Sequence, residues 1–266
     1  MRLCSIASGS SGNCIYVGSD ATHLLVDVGI SGKRTESGLK ELGLTGRDID
    51  GILITHEHSD HISGLSVLAR KYGIPIYATA GTIRAIMSCN GMENLDDGLF
   101  HEVREDKKLI LKDLVINPMR ISHDAAQPVG YRISYGKKKV AVCTDLGIYN
   151  DYTVECLKGM DAILLEANHD VNMLQVGPYP YYLKQRILGE RGHLSNENSG
   201  RLLCRILHDG LQTVLLGHLS KENNLPELAY ESVRMEINMG ENPYKASDFD
   251  IRVAKRSEVS PVVYIA

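Results

Sequence analysis

Residues 55–61 of this 266-residue chain read Thr-His-Glu-His-Ser-Asp-His. Within that window His56, His58, Asp60 and His61 offer four side chains able to ligate a metal. A metal ion needs several such nitrogen or oxygen atoms converging at about 2.0–2.2 Å. The apolar run Gly51–Thr55 predicts a strand just before the cluster, and a helical pattern begins near Ser63. Between them the ligands are expected on a turn. There, side chains two apart need not point to opposite faces as they would in a strand. One short turn could then serve two metals, but four ligands do not close two coordination spheres.

The remaining ligands are sought where other strands end. Asp27 closes Leu24-Leu25-Val26, His123 follows the run Val115–Ile121, Asp145 follows Val140–Cys143 and His218 follows Val214–Gly217. Residues just past strand ends can meet on one rim of a sheet and build a site. The expected arrangement gives one ion His56, His58 and His123, and a second ion Asp60, His61 and His218, with Asp145 bridging them. Imidazole and carboxylate without thiolate suit Zn²⁺ or Mn²⁺, and Fe²⁺ is also compatible. His23, His101 and His208 lack such context and read as surface or structural residues.

Short apolar runs alternate with helical patterns along the chain. Strands are expected over Leu3–Ile6, Cys14–Val17, His23–Asp27, Ile52–Thr55, Ile74–Tyr77, Leu114–Arg120, Val129–Tyr135, Lys139–Cys143, Ala162–Glu166, Thr213–Leu216 and Val262–Ile265. Helices are expected over Lys33–Leu42, Ser63–Tyr72, Thr82–Asn90, Asp151–Leu157, Tyr181–Leu188, Asn196–Leu207 and Leu225–Met239. No linker, low-complexity tract or internal repeat interrupts them, so residues 1–266 read as one α/β domain. With no Trp and only two Phe, the core must rest on Leu, Ile, Val and Tyr.

The net charge of −4 argues against holding nucleic acid through a global basic field, but leaves a nuclease open, because bound cations add local positive charge. The six cysteines form no Cys-x-x-Cys pair and read as reduced core residues. The first residues carry no apolar signal core and no window approaches a membrane span, so a cytoplasmic protein without a membrane partner is expected.

The motif His-x-His-x-Asp-His preceded by Thr, with Asp27, His123, Asp145 and His218 in matching order, resembles the metallo-β-lactamase superfamily. The resemblance implies a four-layer αββα sandwich and a metal-dependent hydrolase. It gives Asp27 the role of accepting a hydrogen bond from a ligand His and fixing its orientation. A diiron oxygen-reducing relative would carry Glu in place of His58, so hydrolysis is favoured over redox chemistry. Asp60 is counted with the catalytic group as well as the ligands.

Two further segments, Leu164–Asp170 and Gly192–Asn196, look like the positions where tRNA-processing nucleases of this superfamily carry a Glu and a proton-transferring His. Here these would be Glu166 and His193. Phosphodiester cleavage must protonate a departing alkoxide, and a His of near-neutral pKa suits that task. The structural reading makes His193 a loop residue and Ser195 or Asn196 the cap of the next helix.

Those segments, the opening Ser5–Asn13 and the stretch Leu216–Asn224 are similar to the YycJ/WalJ group, also called VicX. That similarity implies a 5′-to-3′ DNA exonuclease linked to DNA repair, with RNA a second candidate substrate. The alternative is a small-molecule metallo-hydrolase of the same fold acting on a thioester, lactone or cyclic phosphodiester. Ser10 and Asn13, in the loop Ser8–Asn13, and Ser195 are candidate substrate contacts, although the loop reads first as a plain hairpin turn between strands. Lys33, Arg34, Lys184 and Arg186 are candidate backbone contacts, and Tyr179, Tyr181 and Tyr182 either stack on bases or pack.

Overall fold

The computed structural model describes residues 1–92 and 94–266. In chain order the strands are β1 (Arg2–Ala7), β2 (Cys14–Gly18), β3 (His23–Val26), β4 (Gly51–Leu53), β5 (Ile76–Thr79), β6 (Phe100–Val103), β7 (Leu109–Leu111), β8 (Leu114–Arg120), β9 (Val129–Tyr135), β10 (Lys138–Cys143), β11 (Ala162–Glu166), β12 (Thr213–Gly217), β13 (Asp250–Val253) and β14 (Val263–Tyr264). The helices are α1 (Gly32–Glu41), α2 (Ser59–Ile62), α3 (Leu65–Tyr72), α4 (Ala80–Met87), α5 (Asp151–Leu157), α6 (Val171–Val176), α7 (Tyr181–Leu188), α8 (Asn196–Ile206) and α9 (Pro226–Met239).

The strands form two seven-stranded sheets, ordered β14-β1-β2-β3-β4-β5-β6 and β7-β8-β9-β10-β11-β12-β13. Each sheet begins with three antiparallel pairings. Each then continues with three parallel ones. Parallel neighbours need crossovers, and helices supply them in both halves: α1, α2–α3 and α4 in the first, α5, α6–α8 and α9 in the second. The chain therefore repeats in topology although it does not repeat in sequence.

Three apolar clusters define four layers. Leu24, Val26 and Leu53 of the first sheet meet Ile133, Val142 and Leu164 of the second between the sheets. Leu39, Leu65 and Ile86 cover the outer face of the first sheet, and Val154, Leu203 and Val233 that of the second. Strands buried on both faces read as continuous apolar runs, and β2, β4, β11 and β12 are buried at every residue. The αββα sandwich and the single domain are thus as expected.

Three strands were not legible in the sequence: β6, β7 and β13. All lie at sheet edges, where a partly exposed, charged strand such as Asp250–Val253 carries little apolar signal. Helix α6 was also missed. A further correction concerns the ligand cluster. It is not all turn: Asp60 and His61 ride on α2, and His58 is its N-cap. All six cysteines are free. Among the described residues no helix is long and apolar enough to cross a membrane.

Candidate metal centre

Five non-glycine residues among those described have positive φ, and three of them are Asp27 (φ 61), Asp145 (φ 59) and His218 (φ 55). Backbone in this region is unfavourable for a residue with a Cβ and persists only where surroundings hold it. Here the surroundings are visible. Asp27 N–H donates to Leu53 O at 2.8 Å. The His218 peptide is held on both sides: its N–H donates to Ser8 Oγ at 2.8 Å and its carbonyl accepts from Asn168 Nδ2 at 2.9 Å. Each kink turns a side chain off the end of its strand toward the same rim.

Gly29 lets the first half close on α2. A Cβ there would fall 1.6 Å from Asp60 O, so only glycine permits the approach. The same junction is tied by Asn13 N–H to Asp60 O (2.8 Å) and Val28 N–H to His61 O (2.8 Å). The halves are stitched beside the cluster, where Val129 N–H of β9 donates to Thr55 O (3.0 Å) and Tyr131 Oη to Ile54 O (2.8 Å).

The tautomers follow from acceptors that cannot donate. His61 Nδ1–H donates to Asp27 Oδ2 at 2.7 Å. His218 and His193 both donate from Nδ1 to Glu166 Oε1, at 2.7 and 2.9 Å. His123 Nδ1–H donates to Gly192 O at 3.0 Å. Thr55 Oγ lies 3.0 Å from His56 Nδ1 and donates to Asp27 Oδ2 at 2.8 Å, so His56 donates to Thr55. When each of these rings is neutral, Nε2 is the nitrogen left with the lone pair.

Those nitrogens converge. Ligand atoms of His56, His58 and His123 lie within 4.8 Å of one another, as do those of Asp60, His61 and His218, and those of His56, His61 and Asp145. Asp145 also groups with Glu166, His193 and His218. His123 Nε2 stands 3.2 Å from His58 Nδ1, a meeting of imidazole nitrogens that needs a proton or a cation between them. His61 Nε2 is 3.1 Å from Asp145 Oδ2. Among the described residues that oxygen, like His56 Nε2, is nonetheless buried without a hydrogen-bond partner. Buried polar atoms are nearly always paired; these two are oriented toward the middle of the cluster.

The charge balance points the same way. Asp27, Asp60, Asp145 and Glu166 bring four carboxylates together. Burial alone would raise Asp145, but the His218 and His61 cations hold it well below the usual carboxylate range. Asp60 is lowered likewise, against its burial, by His61 and His218. Burial would lower His61, yet Asp145, Asp27 and Asp60 hold it well above its ordinary value. Burial would lower His218 too, but Asp145, Asp60 and Glu166 together push it up to about 10. Burial keeps His56 and His123 below the ordinary range. In the metal-free protein, protons on His61 and His218 supply positive charge that divalent ions would otherwise bring. The donor set, its orphaned atoms and its charge all fit divalent metal.

Most of this cluster is closed to water: His56, His61, His123, Asp145, Glu166 and His218 are each no more than 2% exposed. The side chains of His58, Asp60 and His193 are 29%, 23% and 16% exposed and mark the mouth. Asp124, not singled out in the sequence, sits there too. Its Oδ1 is 3.5 Å from His123 Nε2 and it pairs with Arg186 at 2.5 Å.

The three candidate substrate contacts separate. Ser10 is exposed. Asn13 is buried and bonds Gly9 N–H (3.1 Å) and Gly9 O (3.3 Å). Ser195 is buried and caps α8 by accepting from Asn198 N–H at 3.2 Å. The structure thus gives Asn13 and Ser195 internal partners. Nor are the Ser8–Asn13 amides free as a group, because those of Ser8, Gly9, Ser10, Gly12 and Asn13 all have acceptors. Lys184 binds the carbonyls of Gln175 and Gly177 and Arg186 is held by Asp124, so neither is an idle cation. Tyr181 and Tyr182 are exposed and not packed. Thr55 and the Gly192 carbonyl also orient histidines. No local pattern marks the carbonyl, since any residue has one.

Residues 22–218 match the β-lactamase superfamily domain. The chain is 43% identical over 228 residues to exodeoxyribonuclease YycJ of Bacillus anthracis, covering 86% of each protein. It is 44% identical over 225 residues to exodeoxyribonuclease WalJ of Streptococcus pneumoniae, covering 85% of this chain and 84% of that one. The Zn²⁺-bound PqqB structure from Methylobacterium extorquens superposes with a TM-score of 0.72 at 16% identity, over 99% of this chain and 100% of that one, and shows the fold alone. The chain belongs to the metallo-β-lactamase superfamily, within it to the YycJ/WalJ group, and is a metal-dependent hydrolase.

Proposed function

We propose that this protein is a binuclear-metal exodeoxyribonuclease that shortens DNA from the 5′ end and serves DNA repair. The observation that carries the nuclease reading is the fork at Glu166, whose Oε1 accepts from both His218 and His193. One arm orients a candidate ligand. The other fixes a partly exposed histidine beside the centre, with Nε2 available to a leaving oxygen. The names of the relatives at 43% and 44% identity support DNA as the polymer, and the polarity and repair link rest on the resemblance to their group.

In this reading His56, His58 and His123 would hold one ion, Asp60, His61 and His218 would hold the other, and Asp145 would serve both; Zn²⁺ or Mn²⁺ would suit this donor set. Bound there, the ions would acidify a water and offset negative charge on the scissile phosphate. The protein's own residues supply the rest. Asp27 and Glu166 fix the ligand rings His61 and His218 in one tautomer. His193, protonated and held by Glu166, delivers a proton from Nε2 to the departing oxygen.

The test is end-labelled DNA and RNA, each with 5′-phosphate or 5′-hydroxyl ends, treated with Mn²⁺- or Zn²⁺-loaded protein and with Asp145→Ala. Stepwise loss from the 5′ end of DNA by the wild type alone is expected. The second reading, a small-molecule metallo-hydrolase, draws on the net charge of −4. It takes over if metal-loaded protein leaves both polymers intact and hydrolyses a thioester, lactone or cyclic phosphodiester.

A further inference from the structure

A cavity of about 520 Å³ adjoins the metal centre. It shares a wall with it: Ser8, whose Oγ holds the His218 amide, and Leu219, the residue after His218, both line the cavity. Lys221, Lys255, Arg256 and Glu258 bring charge to it. Lys255 takes up Glu258 at 2.9 Å. Lys221 and Arg256 have no carboxylate oxygen within 4.0 Å among the described residues.

Arg256 is the informative one. Its guanidinium lies over Gly9, where a Cβ would be 2.8 Å from Nη1. That nitrogen is buried and has no hydrogen-bond partner among the described residues. Burial lowers the Arg256 pKa from its usual value, and the more distant Glu222 and Tyr179 do not offset it. A cation taken partly out of water without a counter-charge is costly unless an anion completes it. A planar guanidinium and an ammonium lining one cavity suit the oxygens of a phosphate group.

We propose that this cavity is a phosphate subsite, in which Arg256 and Lys221 receive a phosphate of the strand whose neighbouring linkage lies at the metal centre. The proposal rests on the nuclease reading for the identity of the ligand. The phosphate comes either from a phosphorylated 5′ end or from the strand's interior.

The experiment measures binding of 5′-phosphorylated and 5′-hydroxyl single-stranded DNA ten-mers to metal-loaded protein, by fluorescence anisotropy across a salt series. Cleavage is suppressed by nuclease-resistant phosphorothioate linkages at the ends. Wild type is compared with Arg256→Gln and with Lys221→Gln, the latter at an exposed position. Each substitution is expected to weaken binding about tenfold and to lower the slope of log K against log salt by about 0.7, the value for one lost contact to a single strand. Loss confined to the phosphorylated ten-mer assigns the terminal phosphate; equal loss on both assigns an interior one. Unchanged affinity and slope in both variants overturn the proposal. If wild type binds neither ten-mer, the nuclease reading fails and orthophosphate decides the cavity by calorimetry. Uptake lost in Arg256→Gln keeps a phosphate subsite, and uptake equal to wild type removes it.

Discussion

Asp27 and Asp145 occupy matching places in the two halves. Each follows the strand at which its sheet turns from antiparallel to parallel pairing, and each has φ near +60°. Their side chains are used differently. Asp27 is saturated: Oδ1 accepts from Thr55 N–H at 2.8 Å, and Oδ2 from Thr55 Oγ–H at 2.8 Å and His61 Nδ1–H at 2.7 Å. Asp145 is surrounded by His61, His123, His193 and His218, yet its Oδ2 has no hydrogen-bond partner among the described residues. One backbone device thus yields a fully bonded carboxylate that holds His61 in the first half and a buried one with an unsatisfied oxygen in the second. The neighbours decide the role, not the kink.

The largest effect should separate the two residues outright. Asp145→Asn is expected to abolish metal-dependent hydrolysis and lower bound metal, read by elemental analysis of the dialysed protein. Retention of both would end Asp145's claim to face the ions. His193→Ala, which removes only the proposed proton donor of the second half, should keep metal content and slow cleavage about 10²–10⁴-fold. Wild-type rates in that variant would remove His193 from the reaction.

Asp27→Asn comes next. An amide cannot accept all three hydrogen bonds, so His61 loses its fixed orientation, and metal affinity should fall about 10–100-fold in chelator competition. An effect as large as that of Asp145→Asn would break the distinction between the two aspartates.

The smallest expected effect is on stability and involves His169, buried in the second half, outside the proposed ligand set. Burial chiefly pushes its pKa down to about 4 from an ordinary 6.5. The unfolded chain takes up this proton as pH falls through about 6.5, and the folded chain only near 4. Metal-free protein should therefore lose stability as pH drops across that window, by up to about 3 kcal/mol from this group. Urea unfolding of wild type and His169→Asn at pH 6.5 and 4.5 tests it; equal losses in both would contradict the buried, neutral imidazole.

Much of the first half's contribution was legible, because His56, His58, Asp60 and His61 fall within one short segment. The candidate ligands His123, Asp145 and His218, which lie just past β8, β10 and β12, stand out as polar residues after apolar runs. The edge strands β6, β7 and β13 were not, since exposed strands mix charged and apolar residues. The helical turn α2 was hidden by its four residues, too few for a periodic pattern. The sequence pairing of Glu166 with His193 corresponds to a 2.9 Å contact, but nothing local indicated that Glu166 also binds His218.

The sequence by itself determined the kinds of atom available to a metal, the order in which strands deliver them and the layered α/β architecture. These depend on residue type and on apolar periodicity, both local properties. Tertiary structure alone decided that Asp27 is saturated while Asp145 is not, that Asn13 and Ser195 are bound internally, and that Ser8, Lys221 and Arg256 share one cavity. Hydrogen bonding and burial depend on which distant segments meet, and here segments more than two hundred residues apart, such as Ser8 and His218, are brought within 2.8 Å.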